Sequence, residues 1–201
     1  AERQENGVFK NLFDFCFRIE KRYLNKRALE ALIYSGALDV FDVSRASLIK
    51  TYPVAVKQAE QRQNDHSSGQ SGLFSIVEEH IEYEIHYLNA PDFSFRQRLE
   101  LEKMVMGYYF YDHPTDEYKA DAKHINVTLP SEIRFRNNKD VRVLALISEL
   151  RYRPTRKGGQ IAIVAVEDGH TLLNAVVFSK SLGEVSDKLI VDNVVIISGK
   201  I

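Results

Sequence analysis

Arg151, Tyr152, Arg153, Arg156 and Lys157 place four cations and an aromatic ring within seven residues. At that density guanidinium and ammonium groups can track a phosphate backbone, while Tyr152, or Phe178 further along, stacks on a base. The competing reading is a solvated β-hairpin, since strand aromatics are sparse. A second cationic set, Lys26, Arg27, Arg45 and Lys50, flanks Gly36-Ala37 and could meet duplex phosphates without reading bases. A solvated helix face explains the same charges. A third feature is apolar: Gln70-Ser71-Gly72-Leu73-Phe74 sets two large side chains among Gly and Ser that cannot build a core around them. Such a pair either folds back onto its own domain or docks into another protein.

Other chemistry finds little support. His80 and Glu84 stand four apart with His86 nearby, but two ligands do not make a closed metal site, and EEHIEYEIH reads as an acidic surface. No metal site is expected. No Ser/His/Asp set, phosphate loop or nucleophile elbow occurs, and His113 reads as a structural partner at a helix end. No catalytic residue is assigned.

The elements that must carry these residues fall into two styles. Phe9, Leu12, Phe13 and Cys16 recur at helical spacing. Asn25 caps a second helix with Leu29, Leu32 and Ile33 on its buried stripe, and Gly36 ends it. Ser44 caps a third helix that Pro53 should kink or restart. Gln61 to Gly72 has linker composition. Residues 76–90 suit helix and strand equally. Ser94 caps a helix running to Met106, ended by Gly107, and His113-Pro114 marks a turn. Beyond Asp140 the period changes to two. Val141–Leu150, IAIVAVE, TLLNAVVF and NVVIISGKI read as strands, RYRPTRKGGQ as a turn-rich loop, and Ser181–Lys188 as a short helix before the last strand. Strand, strand, strand, helix, strand is the order of an OB barrel, whose fifth strand should follow. The expected fold class is therefore α+β and multidomain, with a helical region at 1–63, a linker at 64–76, a connector at 77–139 and an incomplete OB-fold domain at 140–201. The stop at Lys200-Ile201, inside a strand, is read as the end of a fragment.

Composition is consistent with this. The 201 residues are 44% apolar and 27% charged with a formal net charge of −1, so no global field announces nucleic acid. The middle, residues 64–139, holds 8 Lys/Arg against 13 Asp/Glu and separates two neutral-to-basic ends. No run approaches a membrane span, and the single cysteine, in the apolar FDFCF, fits a reducing cytoplasm.

In order along the chain, FKNLFDFCFRIE, LNKRALEALIYSGALD, SRASLIKTY, EKMVMGYYFYDHPTDEY and VRVLALISELRYRPTRKGGQIAIVAVEDGHTLLNAVVF resemble the alpha subunit of bacterial replicative DNA polymerase III, a C-family polymerase, in the region after its catalytic core. The resemblance implies the helix-hairpin-helix end of the fingers, a long-helix connector and an OB domain whose first loop carries Thr155-Arg156-Lys157-Gly158. It implies that Gln70, Ser71, Gly72, Leu73 and Phe74 bind the sliding clamp. Arg151, Tyr152, Arg153, Arg156, Lys157 and Phe178 would face single-stranded DNA, and Lys26, Arg27, Gly36, Ala37 and Arg45 the duplex. Further implied partners are the other holoenzyme subunits. No cofactor is expected in this stretch, since magnesium would belong to the catalytic palm of the parent polymerase. The sequence departs from the family in its hairpin, where Gly36-Ala37-Leu38 lacks the second glycine of Gly-x-Gly. The rival reading from another class is a stand-alone OB-fold adaptor that binds single-stranded nucleic acid.

Overall fold

The computed structural model describes residues 2–67, 86–133, 139–156 and 158–201, with the side chains of 65–67 left out. The described residues form two units, Ala1–Tyr108 and Tyr109–Ile201.

The first unit is helical: α1 (Glu2–Glu5), α2 (Leu12–Arg18), α3 (Lys26–Tyr34), α4 (Arg45–Ser67) and α5 (Phe95–Met106). α2 begins at Leu12, after Phe9, because the Asn11 side chain accepts from the Asp14 amide at 2.8 Å and sets the cap there. Asn25 caps α3 in the same way through the Ala28 amide. α3 ends in a Schellman turn: Gly36 N–H donates to Ile33 O and Ala37 N–H to Leu32 O, with Gly36 at φ +78°. Leu12, Cys16, Leu29, Ile33, Leu38, Leu48, Tyr52, Ala55 and Ala59 form the core.

α4 is longer than expected. Pro53 lies within it without ending it, and the helix runs on through the polar 61–67 stretch. Leu48, Tyr52, Ala55 and Ala59 fall on one buried stripe, while Pro53 is exposed, so the packing of that stripe outweighs one lost backbone bond. Beyond Glu60, Gln and Arg are good helix formers, and Arg62 lies 4.3 Å above the Phe17 ring. α5 matches its reading, with a capping box between Ser94 and Gln97 and Gly107 at φ +84°.

Residues 86–93 return along α4 as an extended strap. The Leu88 amide donates to Thr51 Oγ1 at 2.9 Å, the Ala90 amide to Ser47 Oγ at 3.1 Å, and Lys50 Nζ to Asn89 O at 3.1 Å. Tyr87 packs edge-on against Phe13, and its hydroxyl accepts from the Leu12 amide.

The second unit is a curled four-stranded antiparallel sheet, β1 (Asp140–Pro154), β2 (Gln160–Glu167), β3 (Leu172–Val177) and β4 (Val194–Lys200), in the order β3-β2-β1-β4. This half-barrel is an OB fold short of one strand. α6 (Lys119–His124) precedes the sheet, and α7 (Ser179–Val185) joins β3 to β4. β1 is shared: its first half pairs with β4 and its second with β2. A bulge lies between Ile147 and Glu149, so Ser148 opposes no residue of β2. Ahead of it Val143, Ala145 and Ile147 enter the core of Ala162, Val164 and Val166; after it Leu150 packs there, and the inward parity has changed from odd to even. The other face of β1 is also covered, since Leu144 packs on Ala122 and Val127.

Candidate nucleic-acid interface

Of the four cations expected on a loop, Arg151 and Arg153 are on a strand and Arg156 is in the turn. β1 continues through Pro154 and β2 resumes at Gln160, which leaves only 155–159 as the turn. Thr155 closes it. Its N–H donates to Gly159 O at 2.7 Å, its Oγ1 accepts from the Gly159 amide, and the Gly158 amide donates to its carbonyl, with Gly158 at φ +81°. Arg156 is thus presented, exposed, from a turn fixed at its base.

Register decides where the rest point, because directly paired residues share a face. Tyr152 pairs with Ala162, and Ala162 with Val177, on the core-facing side. Arg151 pairs with Ile163 and Arg153 with Ile161, on the outer side with Val176. Arg151 is paired with Glu149 at 2.5 Å, and both are exposed. Phe178 caps α7 and is 67% exposed. Tyr152 is 43% exposed although it faces the core side, since it lies where the core runs out. Between it and α7 is an open groove of about 530 Å³, lined by Tyr152, Gly159, Gln160, Ser179, Leu182, Gly183 and Ser186. The structure therefore brings Tyr152, Arg153 and Arg156 to one hairpin. Lys157 lies outside the described residues.

In the helical unit Lys26 and Arg27 are exposed at the start of α3, with Lys26 3.7 Å from Glu30. Ala37 is exposed at the hairpin, but its amide is taken by Leu32 O. Arg45 is 8% exposed: its guanidinium holds both Asp39 carboxylate oxygens and donates to Tyr34 O at 3.0 Å. Its charge is spent tying the hairpin to α4. The spacing of sequence cations carries no sign of this, because Asp39 lies across the turn. Gln70, Ser71, Gly72, Leu73 and Phe74 lie outside the described residues, as do His80 and Glu84.

Two polar residues with structural roles escaped the sequence reading. Asp168, 1% exposed, accepts from the Ser131, His170 and Thr171 amides and clips the β2–β3 turn to residue 131. Burial raises its pKa, but hydrogen bonds from Ser131, Thr171 and His170 outweigh that and hold it below the usual carboxylate value. The Asp168-Gly169 dipeptide is the signal that marks such a turn. Ser179 is the other: its Oγ donates to Gln160 O at 2.6 Å and fastens α7 to the start of β2. His113 is 6% exposed beneath Gly169, and its Nδ1 accepts from the Thr115 amide. Burial lowers its pKa, which favours the neutral ring. Cys16 is buried and its thiol is pushed up to about 12, which makes it inert. Among the described residues no group of three or more His, Cys, Asp or Glu could hold a metal ion. Nor is any described helix long and apolar enough to cross a membrane.

The helix-hairpin-helix motif family matches residues 1–48. Over 203 aligned residues, covering the entire chain, the DNA polymerase III subunit alpha of Haemophilus influenzae is 32% identical. Along its whole length, the chain matches one segment of the DNA polymerase III alpha subunit. The alpha subunits of Neisseria meningitidis and Vibrio cholerae align over 100% and 99% of the chain at 33% and 31% identity. The chain spans less than a fifth of these alpha subunits, 17–18% of each. The match joins the helical unit and the half-barrel in a single uninterrupted order.

Proposed function

We propose that this chain is a noncatalytic, DNA- and clamp-contacting segment of a bacterial replicative DNA polymerase. The observation that carries the reading is the match of this whole chain to one segment of alpha subunits, joined to a hairpin that carries exposed Arg153 and Arg156 with Tyr152 on the face opposite Arg153. Cations on a rigid turn bind phosphate without preference for sequence, and an aromatic beside them takes the base. That suits a polymerase, which must hold template of any sequence. The helical hairpin would rest on the duplex through Lys26 and Arg27, and Gln70–Phe74 would tether the enzyme to a sliding clamp. In that complex Leu73 and Phe74 fill an apolar pocket, each contributing roughly 1.5–3 kcal/mol if fully buried. Ordering the segment offsets much of this, so affinity for the isolated segment is about micromolar. Retention then comes from clamp and polymerase sharing one DNA.

The test is binding of labelled single-stranded DNA across a salt series. Replacing Arg153, Arg156 and Lys157 together by Ala weakens binding and reduces the slope of log K against log salt by about 2, at roughly 0.7 per lost phosphate contact. An unchanged slope shows the hairpin to be an ordinary surface element.

A further inference from the structure

The two glycines that line the groove beside Tyr152 are there for different reasons. A side chain at Gly159 would meet Ser179 Oγ at 2.7 Å, so packing excludes one. A side chain at Gly183 would meet nothing within 4 Å, and Gly183 has ordinary helical backbone. Glycine is among the poorest helix formers, and neither packing nor conformation asks for it at this position of α7. What it contributes is open space over the helix.

That space has definite walls. Tyr152, 43% exposed, stands on one side, Leu182 closes the floor from within the core, and Gln160 and Ser186 offer an amide and a hydroxyl at the rim. Ser179 Oγ, committed to Gln160 O, holds the helix at a fixed distance from β2. None of the described lining residues is charged, which suits an occupant that is neutral where it enters. At about 530 Å³ the groove lies within the roughly 300–1,000 Å³ of small-ligand sites. Just outside, Arg156 carries positive charge on the turn, with Arg153 on the outer face of the same hairpin, while Glu184 and Asp187 follow on the α7 side without lining the groove. This polarity suits a ligand with a neutral planar head and an anionic thread that runs past the hairpin.

We propose that the groove between Tyr152 and α7 receives one unstacked base of a nucleic acid strand, stacked on Tyr152 over Gly183. The proposal rests on the single-strand reading above and adds a discrete pocket to it. Gln160 and Ser186 can each donate or accept, so they meet the edge of any base without selecting one.

The 201-residue chain is titrated with fluorescent oligo(dT), and with the same strand carrying abasic sites. Gly183→Met fills the groove and weakens oligo(dT) binding at least about fivefold, the low end for loss of one stacked base. Gly183→Ala has a smaller effect in the same direction. Both variants melt at the same temperature as the parent or higher, since each improves the helix. The abasic strand binds the parent chain at the weakened level and is indifferent to Gly183→Met. Binding that survives Gly183→Met unchanged, yet falls on replacing Arg153, Arg156 and Lys157, overturns the groove and leaves the hairpin reading standing. If neither set of changes weakens binding, the hairpin reading falls and the groove with it.

Discussion

The guanidinium of Arg45 occupies the place where Gly36 would carry a side chain, so that a Cβ built there would fall within it. One residue ends α3 and the other begins α4, and the fit between them sets the path of the hairpin.

Gly36→Ala has two costs: a positive φ, which disfavours an L-residue by roughly 1–2 kcal/mol, and displacement of Arg45. Arg45→Ala gives up hydrogen bonds to Asp39 and Tyr34 O and is expected to lose about 1–3 kcal/mol, since half-exposed Asp39 regains water. The double variant should be less destabilised than the sum by at least about 0.5 kcal/mol, because the second change removes the clash. Urea titration of all four proteins measures the coupling, and strict additivity would refute it.

A second extra residue should be far worse than removal of the one the strand already carries. Deleting Ser148 sets Glu149 next to Ile147, keeps Glu149 opposite Ala165 and Leu150 opposite Val164, and so leaves Leu150 and Tyr152 facing inward. Inserting one Ala between Glu149 and Leu150 instead turns Leu150 and Tyr152 outward and Arg151 in. We expect the insertion to lose at least about 2 kcal/mol, as for exposing one large apolar side chain. Ser148→Ala keeps the count and gives up only a bond to Ala165 O, for about 1 kcal/mol. Melting curves that rank the insertion with the deletion would show that the residue count beyond the bulge does not set the register.

The paired change Leu73→Ala/Phe74→Ala separates a docking segment from a core segment. As clamp ligands, the two residues can be removed with little effect on the melting temperature and complete loss of capture by an immobilised sliding clamp. As core residues, Phe74 alone would cost roughly 3–5 kcal/mol on truncation to Ala. Gln70→Ala should weaken capture and leave melting unchanged.

His113 makes the half-barrel sensitive to mild acid. Its folded pKa lies below the ordinary 6.5, first because of burial, with Lys119 and His170 acting the same way and Asp116 and Asp168 opposing. The unfolded chain therefore takes the proton first. The stability due to neutral His113 is complete above about pH 6.5 and declines as pH falls below it. Asp116 and Asp168, held below 3.8, contribute stability that is lost only at lower pH. Melting between pH 7.5 and 5 should show a slope that His113→Asn flattens; an equal slope in both proteins would assign the effect elsewhere.

Much of the fold is legible because local signals agree with the packing. Asn25, Ser94, Gly36 and Gly107 mark helix ends by the bonds they make or the backbone they adopt, and the change of period at Asp140 separates helices from strands. Pro53 does not end α4 because its local effect is weaker than the buried stripe it sits opposite. The bulge is hidden because both faces of Val143–Ile147 are covered, so the apolar run shows no alternation from which a skipped residue could be read. Within the site, residue types announce the cations, but which face Arg153 and Tyr152 take depends on that bulge. The groove was not legible at all, since Gly183 and Tyr152 are brought together only by the turn of β3 into α7.

The strap has a consequence for evolution and engineering. α4 ends at Ser67, and Leu88 is already bonded to Thr51 of the same helix, so the described residues on either side of 68–85 are both anchored in the helical unit. Closing a longer insertion costs only about 0.6 kcal/mol for each doubling of its length. Under the proposed docking role, a different docking sequence, or twice the span, can therefore be exchanged between the same two anchor points while the helices that hold them stay as they are.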